Sequence, residues 1–315
     1  MIVARSLGEI TRDPNSVVTV GTFDGVHRAH QEIIREVVNR ARMQEGRSVV
    51  VTFEPHPKEV VGSQEKPVML LATLQERVDR IRGMSVDLLF VINFTYEFSR
   101  IGAQEFYRKF VVEGIGVSEV VVGYDHMFGR DRTAGIEELV RMGHDLNFSV
   151  SAVHQYRLDG EVVSSTLIRS AIGSGDVERA AKFLGREYTL RGSVVHGDGR
   201  GKTIGYPTAN IKPFSSCKLV PGRGVYLVGI ALRAGSWYGM MNIGVRPTVA
   251  SDGNVLIEVH IFGLTADIYN EEIEVTFLRK LRDEHKFDSL EQLTEQLDRD
   301  KETSLRYIKE YDKRQ

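Results

Sequence analysis

The sequence predicts an α/β protein in two parts: a doubly wound parallel sheet first, then an antiparallel β-barrel closed by a terminal helix. Three observations predict it. Up to about residue 154, short Val- and Leu-rich runs alternate with segments whose apolar residues recur at helical spacing, as strands covered on both faces by helices require. From about residue 187, short Val/Ile/Tyr runs follow at close intervals between turns rich in glycine and proline, the pattern of an antiparallel barrel. From Asp288 onward, Leu290, Leu293 and Leu297 share one face of a long amphipathic helix, with Asp288 and Glu291 placed as a capping box.

Composition bounds the function classes. At 315 residues the chain is long enough for about two domains, and 42% hydrophobic with 27% charged residues is ordinary globular material. A net charge of −2 leaves no basic footprint for nucleic acid. The single cysteine, Cys217, excludes an intramolecular disulfide and a multi-cysteine zinc site, which fits a reducing compartment. No apolar run approaches the ~18 residues of a membrane span. Nor does the N-terminus read as a signal peptide, so the expectation is a cytoplasmic protein with no membrane partner.

In the first part, strands are predicted at Val17–Val20, Ser48–Phe53, Leu88–Phe94, Val117–Val122 and Phe148–Val153, with helices at 31–43, 73–82, 102–112 and 136–142. Ligands on such sheets bind beyond the carboxyl ends of the strands, and the unusual residues do follow strands. After the first strand comes a turn with Gly21, Phe23, Asp24 and Gly25, then His27 and His30 at a helix start. Backbone N–H groups and the positive end of that helix converge there, and two imidazoles spaced i, i+3 could hold a triphosphate. A surface loop with two solvated histidines is the alternative. After the second strand, Pro55 and Pro57 pin a loop that presents His56. After the fourth, Asp125 and Phe128 offer a polar group and an aromatic face suited to a purine or a flavin ring. After the fifth, beyond a turn at Asp159-Gly160, Ser164, Ser165 and Thr166 open a helix with Arg169 one turn in. That is a further anion site or a capped helix.

Residues 173–186 read as a short capped helix ending at Gly185, connecting a domain of residues 1–186 to one of 187–315. Barrel strands are predicted at 188–195, 224–232, 236–243, 255–262 and 272–278. Between the first two lies His196-Gly-Asp-Gly-Arg-Gly-Lys-Thr-Ile-Gly-Tyr-Pro-Thr-Ala-Asn210. Gly201-Lys202-Thr203 imitates the end of a Walker A loop, but His196 stands where its first glycine is required, and Gly205 and Pro207 forbid the helix that should follow. A glycine-rich loop with Gly199, Gly201, Lys202 and Gly205 still offers unhindered N–H groups to phosphate. Thr208 and Asn210, i and i+2 on an extended segment, put two oxygen ligands on one side, suited to Mg²⁺ with nucleotide phosphates; a turn followed by an edge strand is the alternative.

Two resemblances unite these stretches. Gly21-Thr-Phe-Asp-Gly-Val-His-Arg-Ala-His30 resembles the GxFDGVHxGH motif of bacterial FAD synthetases, members of the HxGH nucleotidyltransferase superfamily, with Ala29 in place of glycine. Thr52-Phe-Glu-Pro-His-Pro57, Val122 to Arg132 and Ser164 to Arg169 follow in that family's order, with Ala134 at a usual glycine. The His196–Asn210 stretch resembles the riboflavin kinase motif GxxxGRxxGFPTAN, with Tyr206 for phenylalanine. Gly224-Val-Tyr226, Asn242-Ile-Gly-Val-Arg-Pro-Thr248, Glu258-Val-His-Ile-Phe262 and Leu281-Arg-Asp-Glu-His-Lys-Phe287 follow, with Asn270 replacing a glycine after Tyr269; asparagine tolerates positive φ, so the turn is expected to survive.

The resemblance implies a Rossmann-like first domain that adenylylates FMN to FAD, releasing pyrophosphate, and a barrel that phosphorylates riboflavin to FMN, releasing ADP, both from ATP. It implies that His27 and His30 hold the α-phosphate and that Arg169 steadies the ATP phosphates. It further implies that Thr208 and Asn210 contact Mg²⁺, that Glu258 takes the proton of the ribityl 5′-hydroxyl, and that Arg282 lies at the flavin. A kinase whose first domain only binds nucleotide or flavin is the alternative, suggested by Ala29 and Ala134.

Overall fold

The computed structural model describes residues 1–62, 68–124, 135–197, 201, 204–245 and 255–313, and these pack as two units, Met1–Ser165 and Thr166–Gln315. Among the described residues no helix is long and apolar enough to cross a membrane.

The first unit is built on strands β1 (Ile2–Ala4), β2 (Val17–Val20), β3 (Ser48–Glu54), β4 (Leu88–Asn93), β5 (Glu119–Gly123) and β6 (Ser149–Val153), in the order β1-β4-β3-β2-β5-β6. Every pair in it is parallel. Alternate residues of β3 explain the two-sided burial: Val49 and Val51 join one core, Val50 the other. Helices α1 (Arg28–Met43), α2 (Pro57–Val61) and α3 (Leu74–Arg82) come first in the chain. Ile34 and Val38 of α1 and Val78 and Ile81 of α3 cover the Val50 face. The other face is covered by Tyr107, Val111 and Ile115, and by Leu139 and Met142 of a later helix.

After α4 (Tyr96–Ser99) and α5 (Ala103–Phe106), the first three lie on a π-helical continuation at Tyr107–Ile115 and the last two on α6 (Ile136–Leu146). The helix expected over 102–112 is therefore two kinds of helix. Its buried residues, 107, 111 and 115, fall every four positions, which suits the wider π turn. Strand β1 was not expected: it is three residues long and adds at the edge beside β4. A two-stranded hairpin, β7 (Arg157–Leu158) and β8 (Glu161–Val162), flanks the expected Asp159-Gly160 turn.

Helix α7 (Ser165–Ser174) starts at the last residue of the first unit and continues into the second, followed by α8 (Val177–Leu184). Asp176 caps α8 at its start, and Gly185 ends it with φ of 76°. The second unit's strands are β9 (Tyr188–Val195), β10 (Ala209–Pro213), β11 (Gly224–Leu232), β12 (Gly235–Val245), β13 (Val255–Ile261) and β14 (Glu272–Arg282). They close in the order β10-β13-β12-β11-β14-β9, antiparallel throughout, with β9 pairing back to β10. The extended segment expected around Thr208–Asn210 is thus β10, and it is paired on both sides rather than at an edge.

Helix α9 (Leu290–Tyr311) covers the barrel with Leu297 and Ile308. Two details differ from expectation. The cap is Ser289, whose hydroxyl accepts from Gln292 N, because Asp288 stands one residue too early. Leu290, at the exposed first position, is 66% accessible and does not share the buried stripe.

Asn270 takes φ of 64° while its N–H donates to the Val194 carbonyl at 2.9 Å. Asparagine reaches this region with little strain and β-branched residues do not. Asn270→Val should therefore cost about 1–2 kcal/mol in denaturant unfolding, and Asn270→Gly should be close to neutral.

Candidate active sites

In the first unit the sheet order reverses between β3 and β5 on either side of β2, so the crevice favoured by ligands lies at the carboxyl end of β2. The turn expected to bind nucleotide is there. Its backbone is strained: Phe23 has φ of 47° and Val26 of 41°, beside Gly25 at 83°. Positive φ at a β-branched valine persists only where packing enforces it, and both Phe23 and Val26 are buried in the core under α1 and α3. Gly21 precedes them, and its N–H donates to the Val51 carbonyl at 3.0 Å.

His27 is the cap of α1: its Nδ1 accepts from His30 N at 3.3 Å. The accepting nitrogen cannot carry a proton, so in the neutral ring Nε2 does and becomes a donor. The His27 and His30 rings stack at 3.5 Å with 17° between planes, and Phe23 meets His30 edge-on at 5.2 Å. The two imidazoles form one built feature at a helix start.

Asp24 turns inward. Its carboxylate accepts from Leu71 N at 3.0 and 3.1 Å and from Ala72 N at 3.0 Å, holding the segment that leads into α3. Ser165 reaches this turn directly, donating its hydroxyl to the Asp24 carbonyl at 3.1 Å. Ser164 adjoins it, while Thr166 and Arg169 continue along α7 in the second unit. His56 is not held out by its flanking prolines. It is 6% exposed and caps α2, its Nδ1 accepting from Lys58 N at 3.2 Å, with Pro57 as the first helical residue and Pro55 before it. Asp125, Phe128, Arg132 and Ala134 lie outside the described residues.

One residue not expected at this end of the sheet is Arg77 of α3, 2% exposed. It donates to the Thr22 carbonyl (3.0 Å), the Thr52 hydroxyl (2.9 Å) and the Phe53 carbonyl (3.1 Å), and pairs with Glu54. Burial pulls its pKa below the usual arginine value against the opposing charges of Glu54 and then Asp24. Burial likewise raises Glu54 despite Arg77. A sequence signal exists: 74, 77, 78 and 81 form a single helical stripe, and an arginine inside such a stripe is set toward the core.

In the second unit, strand register builds a row across three neighbours. Asn210 of β10 stands opposite Glu258 of β13, which stands opposite Asn242 of β12. Directly opposed residues share a face with Cβ atoms about 5 Å apart. Asn210 is 6% exposed, and Gly197 lies close against it: a Cβ there would fall 1.9 Å from the Asn210 amide nitrogen. Gly201 approaches as closely, its imagined Cβ 2.1 Å from the Tyr206 carbonyl, and Gly205 turns with φ of 80°. Gly199, Lys202, Thr203 and 246–248 lie outside the described residues.

Pro207 and Thr208 enter β10 under the control of His260, whose Nδ1 meets the Pro207 carbonyl at 2.9 Å. A carbonyl only accepts, so Nδ1 carries the proton. Burial holds the His260 pKa below its usual value, outweighing the Pro207 bond, with Lys301 acting in the same direction as burial. Tyr206 packs edge-on to His260 at 4.9 Å and donates to Asp298 of α9. Burial and that bond push the Tyr206 hydroxyl up to about 12. Arg282 pairs with the buried Asp300 at 2.8 Å and lies over Phe287 at 5.5 Å.

Oxygen donors for a hard cation are present at Thr208, Asn210 and Glu258. Among the described residues no group of three His, Cys, Asp or Glu side chains is placed to hold a metal. A cation here would thus rely on hydroxyl and amide oxygens plus phosphates, the usual company of Mg²⁺.

An α/β unit with paired histidines at its switch point, followed by a barrel with a carboxylate between two amides, has the composition of a two-site phosphate-handling enzyme. The comparisons agree. Residues 9–167 match the family model for FAD synthetase and 184–308 that for riboflavin kinase. A bifunctional riboflavin kinase/FMN adenylyltransferase of Pseudomonas fluorescens is 39% identical over 277 residues, 88% of each chain. That of Listeria monocytogenes is 35% identical over 296 residues, covering 94% of this chain and 93% of the relative. A Streptococcus pneumoniae crystal structure described as a macrolide-efflux protein superposes with a TM-score of 0.85 at 34% identity, over 96% of this chain and 98% of that one. The chain belongs to the bifunctional riboflavin kinase/FMN adenylyltransferase family.

The His260 geometry gives a pH test. A pKa lowered in the fold means that its contribution is complete above the ordinary value of 6.5 and is lost as pH falls below it, since the unfolded ring takes up the proton first. Urea unfolding followed through Trp237, the one tryptophan, on β12, should show a larger stability loss between about pH 7 and about pH 5.5 for the natural chain than for His260→Gln.

Proposed function

We propose that residues 187–315 phosphorylate riboflavin from ATP and residues 1–186 adenylylate the FMN formed, in the cytoplasm, with Mg²⁺ accompanying ATP. The observation that carries this reading is that both family matches fall on one chain, each over a half with its own polar constellation. The stretch between the matches, 168–183, packs with the barrel: α8 lies against β9 and β14. The single cysteine suits a reducing compartment.

In the barrel, Glu258 accepts the proton of the ribityl 5′-hydroxyl as its oxygen forms the bond to the γ-phosphorus of ATP. The bond from that phosphorus to the β-phosphate oxygen breaks, and ADP leaves. Asn210 and Asn242 flank the carboxylate by register. Thr208 and Asn210 would hold Mg²⁺, which when bound neutralises phosphate charge. Gly199, Gly201, Lys202 and Gly205 are assigned to the phosphates, and Arg282, tied to Asp300, to the flavin.

In the first unit a phosphate oxygen of FMN attacks the α-phosphorus of the second ATP and pyrophosphate leaves. The Nε2–H of His27, with His30 stacked on it, donates to the charge developing at the α-phosphate. Gly21, Phe23, Asp24 and Gly25 shape the turn, with Ser164 and Ser165 beside it on the phosphates. Pro55, His56, Pro57, Asp125 and Phe128 are assigned to the flavin side. No covalent intermediate is required.

Ala29 is compatible with this reading. It is the second residue of α1, where alanine is the better helix former. Ala29→Gly should lower stability by up to about 1 kcal/mol in thermal unfolding and leave FAD formation within about threefold.

The base assignment predicts a split. Glu258→Gln keeps size and hydrogen bonding but cannot take a proton, so FMN formation should fall at least ~10²-fold. FMN's phosphate is already ionised, so FAD formation from supplied FMN should stay within about twofold. Separate assays of the two steps check this. Kinase activity within about tenfold of the natural chain would remove Glu258 from the mechanism, and an equal loss of both would point to the fold.

A further inference from the structure

Arg77 sits where the sheet stops holding its own loops together. The parallel ladder between β2 and β3 runs to Val20 opposite Val51, and Gly21 N–H to the Val51 carbonyl is its last backbone bond of that kind. Beyond it the two chains part, one toward Phe23 and His27, the other toward Pro55 and His56. Their next carbonyls, Thr22 and Phe53, would ordinarily be left to water. They are instead taken by a single buried guanidinium, at 3.0 and 3.1 Å. The Thr52 hydroxyl completes the bridge: it accepts from Arg77 at 2.9 Å and donates to the Thr22 carbonyl at 3.1 Å. Glu54 takes the other arm of the fork.

The constraint runs both ways. Asp24, inside the β2–α1 turn, grips Leu71 N and Ala72 N ahead of α3, and Arg77, inside α3, grips Thr22 ahead of the same turn. Turn and helix therefore fix each other, and the β3–α2 turn is fixed to both through Phe53 and Glu54. Three of the bonds leave one guanidinium nitrogen, Nη1, and the bond to Glu54 leaves Nη2; a lysine, with a single nitrogen, has no second arm to keep Glu54 while it serves the three acceptors.

We propose that Arg77 is a positioning residue for adenylyl transfer. It sets the spacing between the turn that carries His27 and His30 and the turn that carries His56, and so aligns the two substrates held there. This rests on the reading that these turns form the FMN-adenylylating site. Arg77 touches neither substrate; it acts through the carbonyls of Thr22 and Phe53. Misalignment of the reacting groups by about 1 Å is enough to cost ~10²-fold in rate while binding is largely kept.

The test uses the full chain with Arg77→Lys and, separately, Thr52→Val, which removes one strut of the bridge and leaves the guanidinium its other partners. Each preparation is assayed for FAD formation from FMN, with kcat and both KM values, and for riboflavin phosphorylation as an internal measure of intact protein. Near-UV circular dichroism gives the folded fraction. Arg77→Lys should lower kcat for FAD formation at least ~30-fold per folded molecule, with KM for ATP and FMN within about threefold and phosphorylation within about twofold. Thr52→Val should lower the same kcat more than about threefold. A role in folding alone would reduce the folded fraction and leave kcat per folded molecule unmoved. Folded Arg77→Lys with kcat within about threefold of the natural chain overturns the proposal. If Arg77→Lys does not fold, Thr52→Val decides at the same threefold limit. His30→Ala, run alongside, separates the two levels: full FAD formation there would overturn the assignment of the site, whatever Arg77 does.

Discussion

A guanidinium removed from water must find acceptors for its N–H groups and a partner for its charge, or the fold that buries it is lost. In the first unit that requirement organises the end of the sheet. Arg77 meets it only if Thr22, Thr52, Phe53 and Glu54 all converge on one point, so the ends of β2 and β3 are fixed relative to α3. The strain of the next turn, positive φ at Phe23 and Val26, is held in place by this frame and by the core under α1 and α3. The stacked histidines follow directly from that turn. Their placement is therefore a consequence of packing several residues away, and stiffness at the site is inherited from a buried charge.

The barrel reaches rigidity by another route. Closure gives every strand two neighbours, so β10 cannot shift without breaking pairs to both β9 and β13. The row Asn210–Glu258–Asn242 is set by backbone register, and a slip of one residue would send all three side chains to the interior face. His260 and Tyr206 then fix the chain as it enters β10, and Tyr206 ties it to α9.

What could be read from the sequence divides along physical lines. Parallel strands, the barrel and α9 were legible because burial imposes a period, two-sided for β3 and alternating for β13. The His27–His30 spacing was legible for the same reason, since i, i+3 on a helix is a local fact. Strand β1 was not, because three residues carry no period, and β10 was obscured by the glycine and proline turns ahead of it. The 103–115 segment misled because α and π periods differ too little over nine residues. His56 misled in a different way: prolines on both sides suggest presentation, yet a proline after it is also what the first position of a helix favours, and the ring became a buried cap. The burial of Arg77 could be read from its helical stripe, but its partner Thr22, like the partner of Asn242, Glu258, lies far along the chain and no local pattern states it.

On the proposed reading, the difference between the two units follows from the nucleophiles they serve. A ribityl hydroxyl holds its proton at neutral pH, so its site needs a carboxylate within reach, and a carboxylate beside a triphosphate needs amides and a cation to be tolerated there. The row Asn210–Glu258–Asn242, with Thr208 adjoining, has that composition. A phosphate monoester arrives already ionised, so a second carboxylate would only repel it. In the first unit, two acids at this end of the sheet are committed elsewhere: Asp24 to the Leu71 and Ala72 N–H groups, and Glu54 to Arg77. At the switch point stands a pair of stacked imidazoles, and the bond accepted at Nδ1 leaves Nε2 of His27 the donor. Each site thus presents the charge its own nucleophile lacks, and the acids that the first unit cannot use at the reaction are the ones that build its frame.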